Sequence, residues 1–219
     1  ELNFVPVHGA LLDLGLSSLQ LDFEERGFSF SDNNILDMRF GLSNDLTAKK
    51  IVNEYPEIEI SNIIYQFSQD PNSRIIAKAI FNNRPFNNSK QLADLISSIK
   101  LKVRRKHHPA TLTFQALRMA VNDEVKELNK VLSDSFSLLG VGGRLAVISY
   151  HSTEDKIVKN FINEGSSTCE CPPLNLECNC NISPILKVVN KKPITPTDEE
   201  INQNPRSRSA KLRVIERTR

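Results

Sequence analysis

Apolar residues change their period more than once along the chain. Val7 to Leu14, with Ala10-Leu11-Leu12 at its centre, is a short continuous apolar run, the pattern of a strand covered on both faces in a parallel sheet. It ends at Asp13-Leu14-Gly15, where an open α/β sheet places its chemistry. From Leu16 to about Phe40 the periodicity is lost, and Ser29-Phe30-Ser31-Asp32-Asn33-Asn34 predicts a loop. Helical spacing follows. Ser43 or Asp45 caps a helix towards Tyr55; Ile60, Ile63, Ile64 and Phe67 share one face of a second; Ile75, Ile76, Ala79 and Ile80 repeat the pattern. Ser89 opens a fourth helix, with Leu92, Leu95, Ile96 and Ile99 on its apolar side.

Beyond Pro109 the spacing of Phe114, Leu117, Val121, Val125, Leu128, Val131 and Leu132 predicts one long helix from about Thr111 to Leu139, stopped by Gly140 to Gly143. Arg144 to Tyr150 is the clearest second strand, and a crossover helix follows at Thr153 to Asn163. Ile185 to Asn190 and Lys211 to Ile215 supply two more strands. The expected fold is α/β: a sheet of about four strands built from residues 1–44 and 107–219, interrupted by an all-helical subdomain at 45–106.

Composition narrows this picture. The 8 glycines of the 219 residues nowhere form G-x-G-x-x-G or G-x-x-x-x-G-K-[ST], so no self-contained dinucleotide or triphosphate cradle is written in the chain. No apolar run reaches the roughly 18 residues of a membrane span, and the amino end has neither a basic n-region nor an apolar h-region. A cytoplasmic protein without membrane contact is expected. The first residue is Glu1, so sequence upstream of it is expected to be missing.

Four features carry candidate chemistry. Asp13, Ser17, Ser18 and Gln20 gather donors and acceptors just past the first strand; the plain alternative is a turn that closes it. Ser149-Tyr150-His151-Ser152-Thr153-Glu154-Asp155 follows the second strand. There Ser152 or Thr153 caps a helix, while Ser149 and His151 are the candidate catalytic residues, His151 as proton acceptor or base-orienting donor. Lys100 to His108 holds five cations and no anion, and Asn181 to Arg219 holds nine cations against four anions on a chain of net charge only +2. Localised positive charge of this kind points to an acidic polymer, with Lys102, Arg104, Arg105, Lys106, Arg206 and Arg208 as its candidate contacts. Finally, Cys169-Glu170-Cys171 and Cys178-Asn179-Cys180 form two C-x-C pairs, open to zinc binding, to unliganded thiols or to redox pairing, and no metal is assigned from spacing alone.

Leu11-Leu12-Asp13-Leu14-Gly15-Leu16-Ser17-Ser18-Leu19-Gln20, Glu25-Arg26-Gly27-Phe28-Ser29-Phe30, Leu36-Asp37-Met38-Arg39, His108 to Arg118, Ile148 to Asp155 and Asn204 to Ser209 occur in order along the chain. Together they resemble the small-subunit rRNA cytosine-N4 methyltransferases, the RsmH or MraW family. The resemblance implies a partial class I (Rossmann-like) methyltransferase sheet with an inserted helical subdomain that recognises RNA. It also implies S-adenosylmethionine as cofactor and a cytidine of the ribosomal decoding centre as substrate. It makes Asp13 and Gln20 cofactor contacts.

The family's glycine-rich loop and acidic ribose contact precede the strand at Val7, so the resemblance also implies that three of seven strands are absent. Either the chain is a fragment of a longer enzyme, or it is a truncated RNA-binding remnant without catalysis. The absent strands would pair beside Val7 to Leu14, which predicts an exposed apolar edge open to dimerisation. Phe67-Ser68-Gln69-Asp70 and Leu112 depart from the family's Tyr-Gly-Glu-Glu and from its Arg.

Overall fold

A computed structural model describes residues 4–15, 26–30, 33–41, 44–99, 108–169, 171, 180 and 182–219. In chain order the elements are β1 (Val7–Asp13), α1 (Ala48–Glu54), α2 (Glu57–Ser68), α3 (Ser73–Asn82), α4 (Ser89–Ser98), α5 (Thr111–Val121), α6 (Glu124–Ser137), β2 (Leu139–Ser149), α7 (Ser152–Ser166), β3 (Leu186–Val188), α8 (Asp198–Gln203), a 3-10 turn (Pro205–Ser209) and β4 (Lys211–Arg217). Contacts divide them into two units, Glu1–Gly15 with Val125–Arg219, and Leu16–Glu124.

The first unit is built on a four-stranded sheet of order β1-β2-β4-β3. β1 and β2 are parallel with Asp13 opposite Ile148, and β4 runs antiparallel to both β2 and β3. From Gly143 onward β2 alternates as a strand with one covered face should: Leu145, Val147 and Ser149 are buried, Ala146 and Ile148 half-buried. Leu145 and Val147 meet Leu128, Leu132 and Phe136 of α6, Val158 and Ile162 of α7, and Leu186 and Ile215 of β3 and β4.

The mixed α/β architecture agrees with the sequence pattern. β1 lies at a sheet edge among the described residues, and its two faces are not both covered, contrary to what its apolar run predicts. Ala10, Leu12 and Leu14 lean on the core, while Leu11 on the opposite face is 65% exposed. β2 also starts earlier than expected, at Leu139, because the glycine segment joins the strand instead of only ending the helix. Gly142 takes φ +81°, a β carbon at Gly143 would press on the Gly140 and Val7 carbonyls, and the register with β1 shifts there.

In the second unit, Ile51 and Val52 of α1, Ile60 and Ile64 of α2, Ile76 and Ile80 of α3, and Leu92 and Ile96 of α4 are fully buried, with Leu117 and Val121 of α5 and Leu36 and Met38 of the preceding loop in the same core. Its extent differs from the expected 45–106 segment for that reason: α5 and the loop that ends at Gly41 pack into it. The cap of α1 is neither Ser43 nor Asp45. Thr47 takes that place, its hydroxyl accepting from the Lys50 amide at 3.2 Å.

The long helix expected from Thr111 to Leu139 is two helices. Asn122 donates to the carbonyls of Arg118 (2.9 Å) and Met38 (2.8 Å) and accepts from the Phe40 amide (2.7 Å), and Asp123 turns left-handed at φ +50°. These bonds to distant backbone stop α5, and Arg118 closes the corner with a two-pronged bond to Glu124 at 2.7 and 2.9 Å. No helix among the described residues is long and apolar enough to cross a membrane.

Candidate functional site

Because β1 and β2 are parallel and in register at Asp13 and Ile148, their carboxyl ends finish side by side, and the Leu14 amide still donates to the Ile148 carbonyl at 3.0 Å. This is the crevice position of open α/β sheets. Two side chains meet across it. The Tyr150 hydroxyl donates to Asp13 Oδ1 at 2.8 Å, joining residues 137 apart in sequence. Burial, then the hydrogen bond to Asp13 and the negative charges of Asp13, Glu154 and Glu200, push the Tyr150 hydroxyl up to about 12. It therefore stays protonated at neutral pH and donates to the exposed carboxylate at the strand tip. A β carbon at Gly15 would stand 3.6 Å from the Tyr150 ring, ordinary contact, so the chain passes close to that ring after leaving β1.

The cap of α7, expected at Ser152 or Thr153, is His151. Its Nδ1 accepts from the Glu154 amide at 3.3 Å, while Glu154 Oε2 accepts from the amides of Tyr150 (2.8 Å) and His151 (3.3 Å). The reciprocal capping box satisfies helix-end donors and ties down the backbone that carries Tyr150. With Nδ1 accepting, the proton of the neutral ring belongs on Nε2. Ser149 shares the buried face of Leu145 and Val147 and is 2% exposed. His151 thus caps α7 and Ser149 lies buried at the end of β2, while Tyr150, for which the sequence pattern predicts no role, supplies the second polar group at the strand ends.

The next carboxylate along, Asp155, anchors the far strand. Arg213 Nε lies 2.8 Å from Oδ1 and Lys211 Nζ 3.3 Å from Oδ2, with Lys211 paired opposite Ser149 in the sheet. Burial pushes the Asp155 carboxyl up, but the Arg213 hydrogen bond and the charges of Arg213 and Lys211 outweigh it and hold the carboxyl below its ordinary 3.8. A lowered folded-state value means stability present above that ordinary value and lost as pH falls through the folded one. Asp155→Asn is therefore expected to destabilise this unit by roughly 2 kcal/mol near neutrality. Denaturant melts at successively lower pH should show the gap to the parent closing below about pH 4; a gap independent of pH would contradict the assignment.

This anchoring also sorts the cations of the tail. Lys211 and Arg213 serve Asp155, and Arg217 binds the carbonyls of Ser137 (3.0 Å) and Leu139 (2.5 Å) at the other end of β4. Arg206 and Arg208 stand exposed on the 3-10 turn that leads into Lys211, and so into the strand end beside Ser149. Gln20, Lys102, Arg104, Arg105 and Lys106 lie outside the described residues.

Residues 1–218 match the profile of the MraW methylase family. The chain belongs to that family. The protein named ribosomal RNA small subunit methyltransferase H of Dehalococcoides mccartyi is 51% identical over 218 residues, 98% of this chain and 62% of the relative. Proteins of the same name from Caldicellulosiruptor saccharolyticus and Lawsonia intracellularis are each 45% identical, over 222 and 216 residues, with 72% and 69% of their lengths covered. The chain thus spans about three-fifths of the length of the Dehalococcoides relatives. Membership of the MraW methylase family carries the class I methyltransferase fold. The strand ends that bring Asp13 to Tyr150 are the carboxyl ends of the sheet's two parallel strands.

Proposed function

We propose that the chain is the part of an S-adenosylmethionine-dependent methyltransferase that acts on the exocyclic N4 of a cytidine in small-subunit rRNA, at the decoding centre. The observation that carries the reading is the Asp13–Tyr150 pair at the carboxyl ends of two parallel strands in a chain of the MraW methylase family. Relatives that bear the name of an rRNA small subunit methyltransferase support the substrate class.

The exposed Asp13 carboxylate, held by a Tyr150 hydroxyl that is protonated at neutral pH, fits the hydroxyl or ammonium donors of adenosylmethionine; Gln20 is its proposed second contact. When bound, the cofactor supplies a methyl group on a sulfonium, ready for in-line attack. The task of this chain is positional. The cytosine amine shares its lone pair with the ring, so it has to be turned and held about 3 to 3.5 Å from the methyl, its protons accepted by fixed groups. The strand ends present such acceptors, and the capping box holds the Tyr150 amide through Glu154. Arg206 and Arg208, beside those strand ends, take RNA phosphates, as do Lys102, Arg104, Arg105 and Lys106. A base drawn from the stacked rRNA into this edge follows the general logic of enzymes that modify base atoms.

Calorimetry tests the reading against an RNA-binding remnant without catalysis. The full-length protein is expected to bind adenosylmethionine, and to bind small-subunit rRNA with an affinity that falls steeply with salt. Salt-sensitive RNA binding with no cofactor binding would favour the remnant and overturn the proposal.

A further inference from the structure

A second site stands apart from the strand ends, in the connection between α7 and β3. There the sulfurs of Cys169, Cys171 and Cys180 all lie within 4.8 Å of one another. Sγ of Cys180 is 3.9 Å from that of Cys169 and 3.0 Å from that of Cys171. We infer that these three thiols bind one zinc ion, which clips the connection closed. The inference does not rest on the methyltransferase reading.

The geometry is that of a thiolate site with one pair drawn in. Four ligands about 2.3 Å from a tetrahedral zinc stand roughly 3.8 Å from one another. The Cys169–Cys180 separation matches this directly. Cys171 and Cys180 have to part by about 0.8 Å, a side-chain adjustment, and they are well beyond the roughly 2.05 Å of a disulfide.

The backbone prepares the sulfurs for charge. The Cys171 amide donates to Cys169 Sγ at 3.3 Å, the bond that stabilises a coordinated thiolate. Ser167 fixes the residue that carries that sulfur: its hydroxyl accepts from the Cys169 amide at 3.2 Å and donates to the Cys169 carbonyl at 2.6 Å. Cys169 is exposed and Cys171 and Cys180 are half-buried, so a metal has a way in.

The choice of zinc follows from the donors. Three soft thiolates with no carboxylate among them favour zinc over magnesium or calcium, and zinc tolerates the tight bite of C-x-C because its filled d shell imposes no directional preference. The sequence holds one more thiol at Cys178, which lies outside the described residues; the proposal stands on the three.

The location gives the ion a structural task. α7 ends at Ser166, and the Ile185 amide returns to the Gly165 carbonyl at 2.9 Å, so the connection already has a closed base just before β3. A metal joining position 169 to position 180 closes it a second time and lowers the entropy of the intervening chain.

The test is metal analysis of the protein purified under reducing conditions without chelator. About one zinc per chain is expected, falling at least tenfold in the Cys169→Ser/Cys180→Ser double variant. Cobalt loaded into the parent protein should give the intense sulfur-to-metal absorption of thiolate ligation, a readout that does not depend on how well the variant folds. The inference is overturned if the protein takes up no zinc when titrated with one equivalent, if the double variant keeps its zinc, if bound cobalt lacks the thiolate band, or if peptide mapping finds Cys171 and Cys180 joined as a disulfide.

Discussion

Replacing Asp13 with alanine in the full-length protein should weaken adenosylmethionine binding and slow methyl transfer at limiting cofactor by about 10- to 100-fold, the loss of one or two hydrogen bonds to a charged group. Asp13 is exposed at the end of β1 and makes its described side-chain bond to Tyr150, so its removal leaves the core untouched and the effect should fall on KM for the cofactor, with little change in melting temperature. Tyr150→Phe removes the donor that holds the carboxylate and leaves the carboxylate itself. It should therefore raise the same KM in the same direction by a smaller factor, about 3- to 10-fold. Steady-state kinetics at varied cofactor concentration separate these outcomes. An Asp13 variant with the parent's KM would place the cofactor elsewhere.

Gly27→Ala should cost the helical unit on the order of 3 kcal/mol. Gly27 sits at φ +79°, and a β carbon there would fall inside contact distance of the Ile35 carbonyl oxygen and 2.6 Å from the Ser89 hydroxyl. Neither neighbour can easily yield. The Ser89 hydroxyl donates to the Gly27 carbonyl at 3.1 Å, the Ser89 amide donates to Asn34, and the Arg26 carbonyl takes the Met38 amide at 2.9 Å, so the loop is stitched to the start of α4 at the point where the methyl would enter. Met38 and Leu36, carried by the same loop, are fully or almost fully buried, so a displaced loop would also open the core. Denaturant unfolding followed by circular dichroism gives the difference in midpoint. A change below about 0.5 kcal/mol would mean that the loop accommodates the methyl without strain.

What the sequence made legible follows from where each signal is stored. Apolar periodicity located α1 to α5, α7 and the four strands because helix and strand faces are recorded locally, in residues such as Ile60 and Ile64 or Leu145 and Val147. The break between α5 and α6 was not legible, since the apolar spacing runs straight through it and the stop comes from Asn122 reaching Met38, 84 residues away. The exposure of Leu11 was hidden because a run of three apolar residues does not record whether both faces of its strand are covered.

At the site, motif blocks pointed to Asp13 and to the segment around His151, but not to the division of labour within it. A histidine at a strand end invites a catalytic role, and only the geometry shows it capping α7 through the Glu154 amide. Tyr150 had no local mark at all, because its meaning depends on a carboxylate 137 residues earlier. The one sequence signal that favoured the cap was Glu154, three residues after His151, the spacing of a capping box.

The central claim is that this strand edge holds a cytosine amine for methylation. Its most direct test is to incubate the full-length protein with methyl-labelled adenosylmethionine and small ribosomal subunits that lack the modification, digest the rRNA, and identify the labelled nucleoside. N4-methylcytidine at a single decoding-centre position is the predicted product; label on a ring carbon, on a ribose hydroxyl or on another base would contradict it.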